Sequence, residues 1–217
     1  MKATTRPNTP RCVIFDVGGV IITNLKSKAI MSNLLGVGLP VLRERLANAE
    51  PAYGSGQITA DEFYDRVLPD QSLTQEDRDE IWHHIAASIE VRPRILAIAH
   101  SLKQQGIRIA IISDVVPEHS TMFENAGVFK EFNTVVRSYE VGCCKPQPWH
   151  GSQKIYEKAI EVLGINPNET LYFDDKSPNT DAAKSVGIDS VQADGTEDEV
   201  VATIITALRE RGIEVAI

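Results

Sequence analysis

The sequence is poor in cysteine, in positive charge and in long apolar runs, and each shortage closes off a class of protein. Its three cysteines, two of them adjacent as Cys143 and Cys144, give neither a disulfide framework nor a zinc-ligand spacing. They are expected to be small, semi-buried residues of a reducing compartment. Lys and Arg together number 22 against 30 Asp and Glu, a formal net charge of −8, so nucleic acid and anionic membrane surfaces are repelled as partners. An anionic metabolite is not excluded, because a local metal ion or lysine can reverse the field inside a pocket. Nothing in the chain approaches the length of a membrane-spanning segment, and the polar stretch Met1 to Pro10 has two prolines and no apolar h-region. The expectation is a cytoplasmic protein with a frayed N-terminal leader. No internal repeat and no low-complexity segment is present.

What is present begins with Val13-Ile14-Phe15-Asp16-Val17-Gly18-Gly19-Val20-Ile21-Ile22. A short apolar run rich in β-branched residues predicts a buried strand, and this one delivers a carboxylate to its end. Gly18 and Gly19 lack Cβ, so the backbone can turn sharply and approach a bound ion or phosphate. Taken alone, the motif is also an ordinary strand-to-loop turn. The pattern repeats, however: Ile107 to Ile112 runs into Ser113-Asp114, and Leu171-Tyr172-Phe173 runs into Asp174-Asp175. If the three strands are parallel, their carboxyl ends share one edge of one sheet, where open α/β folds place their ligand crevice.

Length, 42% hydrophobic residues and 24% charged residues suit one full domain plus a smaller insertion. From Asn24 to about Glu90 the strand signal vanishes, and helices are predicted at Lys26–Leu35, Pro40–Ala49, Thr59–Leu68 and Thr74–Ile89. Thr59-Ala60-Asp61-Glu62 has the form of a capping box. Leu34 to Pro40 and Pro51 to Gly56 carry the turn residues that would punctuate these helices. From Arg92 onward the rhythm becomes helix, glycine, strand, with Gly106, Gly127, Gly164 and Gly187 closing helical patterns. Strands are predicted at Thr134–Val136, Thr170–Phe173 and Ile188–Val191, and a last helix at Thr196–Arg211. The expected architecture is α/β: a Rossmann-like parallel sheet with helices on both faces, formed by residues 1–22 and 92–217. A helical domain of residues 23–91 is inserted after the first strand.

Between the second and last strand ends of interest lies Glu140 to Pro146, a loop that presents Lys145 beside Pro146. Lysine binds phosphate as a point charge, and proline restricts the loop that holds it. In order, the chain therefore offers Asp at a strand end, a helical insertion, Ser at a strand end, Lys-Pro in a loop, and Asp-Asp at a strand end. From Arg11 to about Asp194 this order resembles the haloacid dehalogenase-like superfamily of hydrolases, in the branch whose helical cap lies between the first and second motifs.

The resemblance implies that Asp16 is a nucleophile that attacks phosphorus and forms an aspartyl-phosphate, which water then hydrolyses. It implies catalytic roles for Ser113 and Lys145, and substrate binding by Ser113, Asp114 and Lys145. It also implies Mg²⁺ held by Asp16, the backbone carbonyl of Gly18, and Asp175, with Asp174 as a direct or water-mediated ligand. Asn179 matches the position behind the ligands that orients this group. The expected partner is a small phosphorylated metabolite, sugar phosphate-like; nothing in the sequence reports the oligomeric state.

One departure matters. Phosphatases of the superfamily usually carry a second aspartate two residues after the nucleophile, to protonate the leaving alcohol, and here that position is Gly18. A better leaving group, an acid from the cap or a water, or a weakened enzyme would each account for it. A branch with Asp-x-Gly in the first motif and Asp-Asp in the last includes glucose-1-phosphate phosphatase, which keeps the phosphatase reading first. A catalytically weak phosphate-binding or regulatory protein is the alternative, and a metal-free 2-haloacid dehalogenase the lesser one. His83 and His84 are adjacent and cannot share a metal face; His119, Trp82 and Trp149 are expected to be packing residues. Asn24, Arg43, Arg45, Tyr53 and Gln57 are cap residues in a position to select substrate.

Overall fold

The computed structural model describes residues 9–23, 25–146 and 152–215. Residues 1–8 of the expected N-terminal leader, Asn24 and Trp149 lie outside the described residues. Five strands form one parallel sheet in the order β3-β2-β1-β4-β5: β1 Cys12–Phe15, β2 Arg108–Ser113, β3 Thr134–Arg137, β4 Thr170–Asp174 and β5 Asp189–Gln192. Strand β1 is central, with Phe15 in register with Ile111 of β2 on one side and Phe173 of β4 on the other. The three strand ends singled out in the sequence are therefore neighbours.

Strand side chains alternate between faces, and β1 divides its residues accordingly. Val13 and Phe15 face a core completed by helix α5 (Pro93–Gln104) and helix α10 (Glu197–Glu210). Cys12 and Ile14 face a second core with Tyr172 of β4 and residues of helices α8 (Lys154–Leu163) and α9 (Ser177–Ser185). Both faces are covered, which is why these strands read as continuous apolar runs. Among the described residues, no helix is long and apolar enough to cross a membrane.

Helices α1 (Ser27–Leu35), α2 (Leu39–Gly54), α3 (Ala60–Val67) and α4 (Gln75–Ala86) follow β1. They bury a third hydrophobic cluster of their own, to which Met122 of helix α6 (Pro117–Asn125) contributes. The capping box at Thr59 is present, with Thr59 accepting from Glu62 N–H and Glu62 accepting from Thr59 N–H. Thr74 with Asp77 and Thr196 with Glu199 form two more.

One prediction fails in detail. Pro51 to Gly56 does not open with a turn, because α2 continues through Pro51 to Gly54. Proline removes one helical donor, but Leu46, Ala49 and Tyr53 are all buried, and burying that apolar face outweighs one lost hydrogen bond. The chain turns only at Gly56, at φ +67°, where a Cβ would stand 2.5 Å from the Tyr139 carbonyl oxygen. Similarly, residues 138–141 form a short helix, α7 (Ser138–Val141), so the Lys145 loop begins at Gly142 and not at Glu140.

The chain enters and leaves the four-helix segment side by side: Ile22 bridges Val91, Thr23 N–H donates to the Glu90 carbonyl, and Arg92 N–H donates to the Ile21 carbonyl. The segment meets α6 through Tyr53, whose hydroxyl donates to Glu118 at 2.5 Å, and through Trp82, which packs edge-on against His119. His119 also stacks on Phe123. It is a packing residue, as expected, and His83 and His84 are exposed.

Burial pushes the His119 imidazole down to about 4, so it folds neutral. Between that value and its unfolded pKa the unfolded chain binds the extra proton, and stability therefore falls as pH drops from about 6.5 toward 4. His119→Phe is expected to shrink the loss of unfolding free energy between pH 7 and pH 5 by about 2 kcal/mol, measured by urea denaturation. An unchanged pH dependence would contradict this.

Candidate active site

Parallel pairing carries Asp16, Ser113 and Asp174-Asp175 to one edge of the sheet, beside the point where strand order reverses between β1 and β4. Crevices form there because the connections diverge to opposite faces. Asp16 follows the last residue of β1, Ser113 ends β2, and Asp174 ends β4. Asp16, Ser113, Asp174 and Asp175 are all buried. A row of buried polar side chains at strand ends needs partners, and the fourth element of the sequence pattern supplies the main one.

Lys145 is 2% exposed, and its Nζ donates to Asp16 Oδ1 at 2.5 Å and to Asp174 Oδ2 at 2.9 Å. The loop that carries it is tied down by Asp114, whose Oδ1 accepts the Lys145 backbone N–H at 2.8 Å. Asp114 thus links the end of β2 to the lysine, while its own side chain is at an exposed position.

Asp174 is saturated. Its Oδ2 accepts from the Tyr172 hydroxyl and, at 2.9 Å, from Lys145 Nζ, and its Oδ1 accepts from Lys176 N–H at 2.9 Å and from Asn179 Nδ2 at 2.9 Å. Asn179, at the start of α9, thus contacts the site through Asp174. Asp175 differs: among the described residues no donor is hydrogen-bonded to its carboxylate. One donor atom each from Asp16, Asp174 and Asp175 lie within 4.8 Å of one another, forming the one such acidic, histidine or cysteine group among the described residues.

Gly19 holds Asp175 in this cluster. At φ +78° it is in the left-handed region, and a Cβ there would lie 2.5 Å from Asp175 Oδ2. Its carbonyl accepts from Arg92 Nη1 at 2.5 Å, and Arg92 Nη2 donates to the Gly195 carbonyl at 2.7 Å. Buried Arg92 was not found from the sequence, since a lone arginine before a proline carries no pattern. Tyr172 was also missed, although it was legible: two residues before Asp174 on a strand, it must share that residue's face.

The electrostatics follow from burial. Desolvation pushes the Asp16 carboxyl up, with Lys145 pulling against it and Asp174 adding to it. Desolvation works against the Lys145 charge too, but Asp16 and Asp174 outweigh it and hold its pKa well above the ordinary value. For Asp174, burial is outweighed by Lys145 and by the hydrogen bonds from Tyr172, Lys145 and Lys176, and its pKa is lowered. Burial raises that of Asp175, opposed by Lys176. The cysteines are free, and burial pushes the Cys144 thiol up to about 12 and the Cys12 thiol up to about 11. Neither is a nucleophile at neutral pH.

Lys145→Met would leave two buried carboxylates without their cation, and breaking a buried pair from one side destabilises by about 3–5 kcal/mol. The orphaned carboxyls then bind protons more tightly folded than unfolded, so the deficit is expected to widen as pH rises from 5.5 to 8. Urea denaturation of the variant and the wild type at the two pH values checks both the size and the sign.

Residues 10–187 match the haloacid dehalogenase-like hydrolase family. The chain is 26% identical over 204 residues to the D-ribitol-5-phosphate phosphatase of Bacteroides thetaiotaomicron, covering 86% of this chain and 93% of that one. It is 24% identical over 204 residues to acyl-CoA dehydrogenase family member 10 of mouse, covering 88% of this chain but spanning only 18% of that much longer protein. Among solved structures, the magnesium complex of a HAD family enzyme from B. thetaiotaomicron superposes with a TM-score of 0.72 at 23% identity, covering 88% of this chain and 96% of that one. The fold, the family match and the order of the strand-end residues agree: the chain belongs to the haloacid dehalogenase-like hydrolases.

Proposed function

We propose that this protein is a Mg²⁺-dependent phosphatase that hydrolyses a small phosphorylated metabolite through an aspartyl-phosphate on Asp16. In this reading residues 1–22 and 92–217 are the catalytic core, and residues 23–91 are a helical cap that closes over the crevice and excludes water. The observation that carries the reading is Lys145, a buried ammonium bonded to Asp16 and Asp174 beside the acidic cluster. Phosphoryl transfer needs fixed positive charge and positioned donors more than it needs covalent chemistry from the protein. The phosphatase named among the relatives supports the same class, and a sugar- or polyol-like phosphate is the substrate it suggests.

A carboxylate oxygen of Asp16 attacks phosphorus. The bond to the leaving oxygen breaks with its electron pair, and water then attacks the phosphorus and returns Asp16 as a carboxylate. Lys145 fixes the orientation of Asp16 and offsets charge on it during the transfer. The Ser113 hydroxyl donates to a phosphoryl oxygen, and Asp114 holds the lysine loop at the substrate side of the site.

A hard, all-oxygen donor set suits Mg²⁺, which keeps several waters and needs few protein ligands. Asp16, Asp175 and the Gly18 backbone carbonyl would hold it. Asp174 lies within the same cluster, but its lone pairs already serve Lys145, Tyr172, Lys176 and Asn179, so it acts on the site through them. Bound there, the ion supplies positive charge against the phosphoryl oxygens.

Gly18 leaves no side-chain acid two residues after the nucleophile, so the leaving group must depart with little help. General acid catalysis is worth a factor of about 10² to 10⁴, and an aryl phosphate is expected to turn over faster than a simple alkyl phosphate by a factor in that range. Turnover is expected to vanish in Asp16→Asn and on chelation of the metal. Steady-state rates for both ester types, with and without Mg²⁺, test this; hydrolysis that persists without metal, or equal rates for both esters, would refute it.

A further inference from the structure

Of the three side chains that donate to Asp174, Lys145, Asn179 and Tyr172, only Tyr172 has no counterpart in the pattern of motifs read from the sequence. Its strand neighbours Leu171 and Phe173 pack into the core on the other face of the sheet. Position 172 itself faces Ile14 and Tyr156 in the second core, where a phenylalanine would supply the same apolar bulk. A buried phenol, unlike a phenyl ring, must also find a hydrogen-bond partner. This one donates to Asp174 Oδ2, the oxygen that also accepts Lys145 Nζ. Its ring lies edge-to-face with Tyr156 at 5.6 Å between centroids, and the Lys145 ammonium stands 5.6 Å from the Tyr172 ring centroid. One side chain therefore touches both members of the ion pair, the hydroxyl at the anion and the ring face at the cation.

An ionised carboxylate offers about four lone-pair positions, and Asp174 uses all four. Without the phenol, one position on Oδ2 would be open. Lys145 could then swing toward Asp174 and away from Asp16, or Asp174 could compete for a cation with Asp16 and Asp175. We propose that Tyr172 is a positioning residue: by filling the second position on Asp174 Oδ2 and flanking the ammonium with its ring, it commits Asp174 to Lys145 and sets Lys145 Nζ against Asp16. The proposal rests on the reading of this site as a Mg²⁺-dependent phosphatase. It divides the labour within the site, with Asp174 serving the lysine and Asp16 with Asp175 serving the metal.

Tyr172→Phe tests it in the full-length protein. The expected result is a fall in kcat of about tenfold, as for one lost buried hydrogen bond, with KM for the aryl phosphate within about threefold of wild type. Affinity for Mn²⁺, followed by electron paramagnetic resonance without turnover, is expected to stay within the same threefold limit. Tyr156→Phe removes a neighbouring buried hydroxyl that lies beside Tyr172 but is hydrogen-bonded to neither Asp174 nor Lys145, and its kcat is expected to stay within about twofold of wild type. An unchanged kcat in Tyr172→Phe, an equal loss in Tyr156→Phe, or a loss of Mn²⁺ affinity that matches the loss of rate would each overturn the proposal. In the wild-type protein the Tyr172 hydroxyl proton is expected to give a slowly exchanging downfield proton resonance. Its absence overturns the proposal even where the variant does not fold. Failure of the phosphatase reading shows separately, as wild-type protein that binds Mn²⁺ or phosphate and hydrolyses no ester.

Discussion

The structure is arranged around one ammonium group buried between two carboxylates. Lys145 reaches Asp16 and Asp174 from a loop, and without it the strand ends would bring Asp16, Asp174 and Asp175 together with nothing to balance them. Isolated buried carboxylates do not stay charged, which is why burial raises the pKa of Asp16 and Asp175 even here. Three carboxylates against one lysine still leave an excess of two negative charges. A divalent cation is the natural complement of that excess, so the lysine and the proposed metal are two parts of one charge balance. Asp174, with every lone pair occupied, belongs to the lysine's part of it.

Such a cluster is permitted only because the sheet brings it together without asking any one strand to bury it. Each of β1, β2 and β4 brings its acid or hydroxyl to its carboxyl end after a buried, largely apolar run, Val13 to Phe15, Ile109 to Ile112 and Leu171 to Phe173, that offsets the desolvation on both faces. The register of β1 with β2 and with β4 then sets these ends level. Two glycine-dependent approaches complete the assembly. Gly19 lets the turn after Asp16 close onto Asp175, and Gly56 lets the end of α2 press against the Tyr139 carbonyl just ahead of the lysine loop.

Much of this was legible in the sequence, and the parts that were not share a physical reason. Strand ends at Asp16, Ser113 and Asp174, the capping box at Thr59 and the glycine stops at Gly106, Gly127, Gly164 and Gly187 are local features, decided by residues within a few positions of one another. The parallel sheet followed from their rhythm. What escaped depended on partners distant in sequence. The continuation of α2 through Pro51 is decided by the apolar surface that Leu46, Ala49 and Tyr53 find to cover, which no local proline rule contains. Arg92 acquires its role only when Gly19 and Gly195 are folded beside it, 73 and 103 residues away. Asp114 reads as a second strand-end acid, and only the fold shows that it caps the backbone of Lys145.

Arg92 also shows how the helical segment and the site are mechanically joined. The two stretches that connect residues 23–91 to the sheet are hydrogen-bonded to each other, Thr23 to Glu90 and Arg92 to Ile21, with Ile22 opposite Val91, and so form a single paired stem. Arg92 stands at the foot of the stem, with its backbone N–H on Ile21 and its guanidinium on Gly19 and Gly195. Gly19 in turn abuts the Asp175 carboxylate. A rotation of the stem is thereby resisted where it would disturb the acidic cluster. At the far side Tyr53 donates to Glu118, Trp82 packs on His119, and Met122 of α6 is buried in the segment's own cluster. The segment is thus fastened to the sheet at a stem that abuts the acidic cluster and again at α6, so the turn that carries Gly19 is braced from both the helical segment and the end of β5.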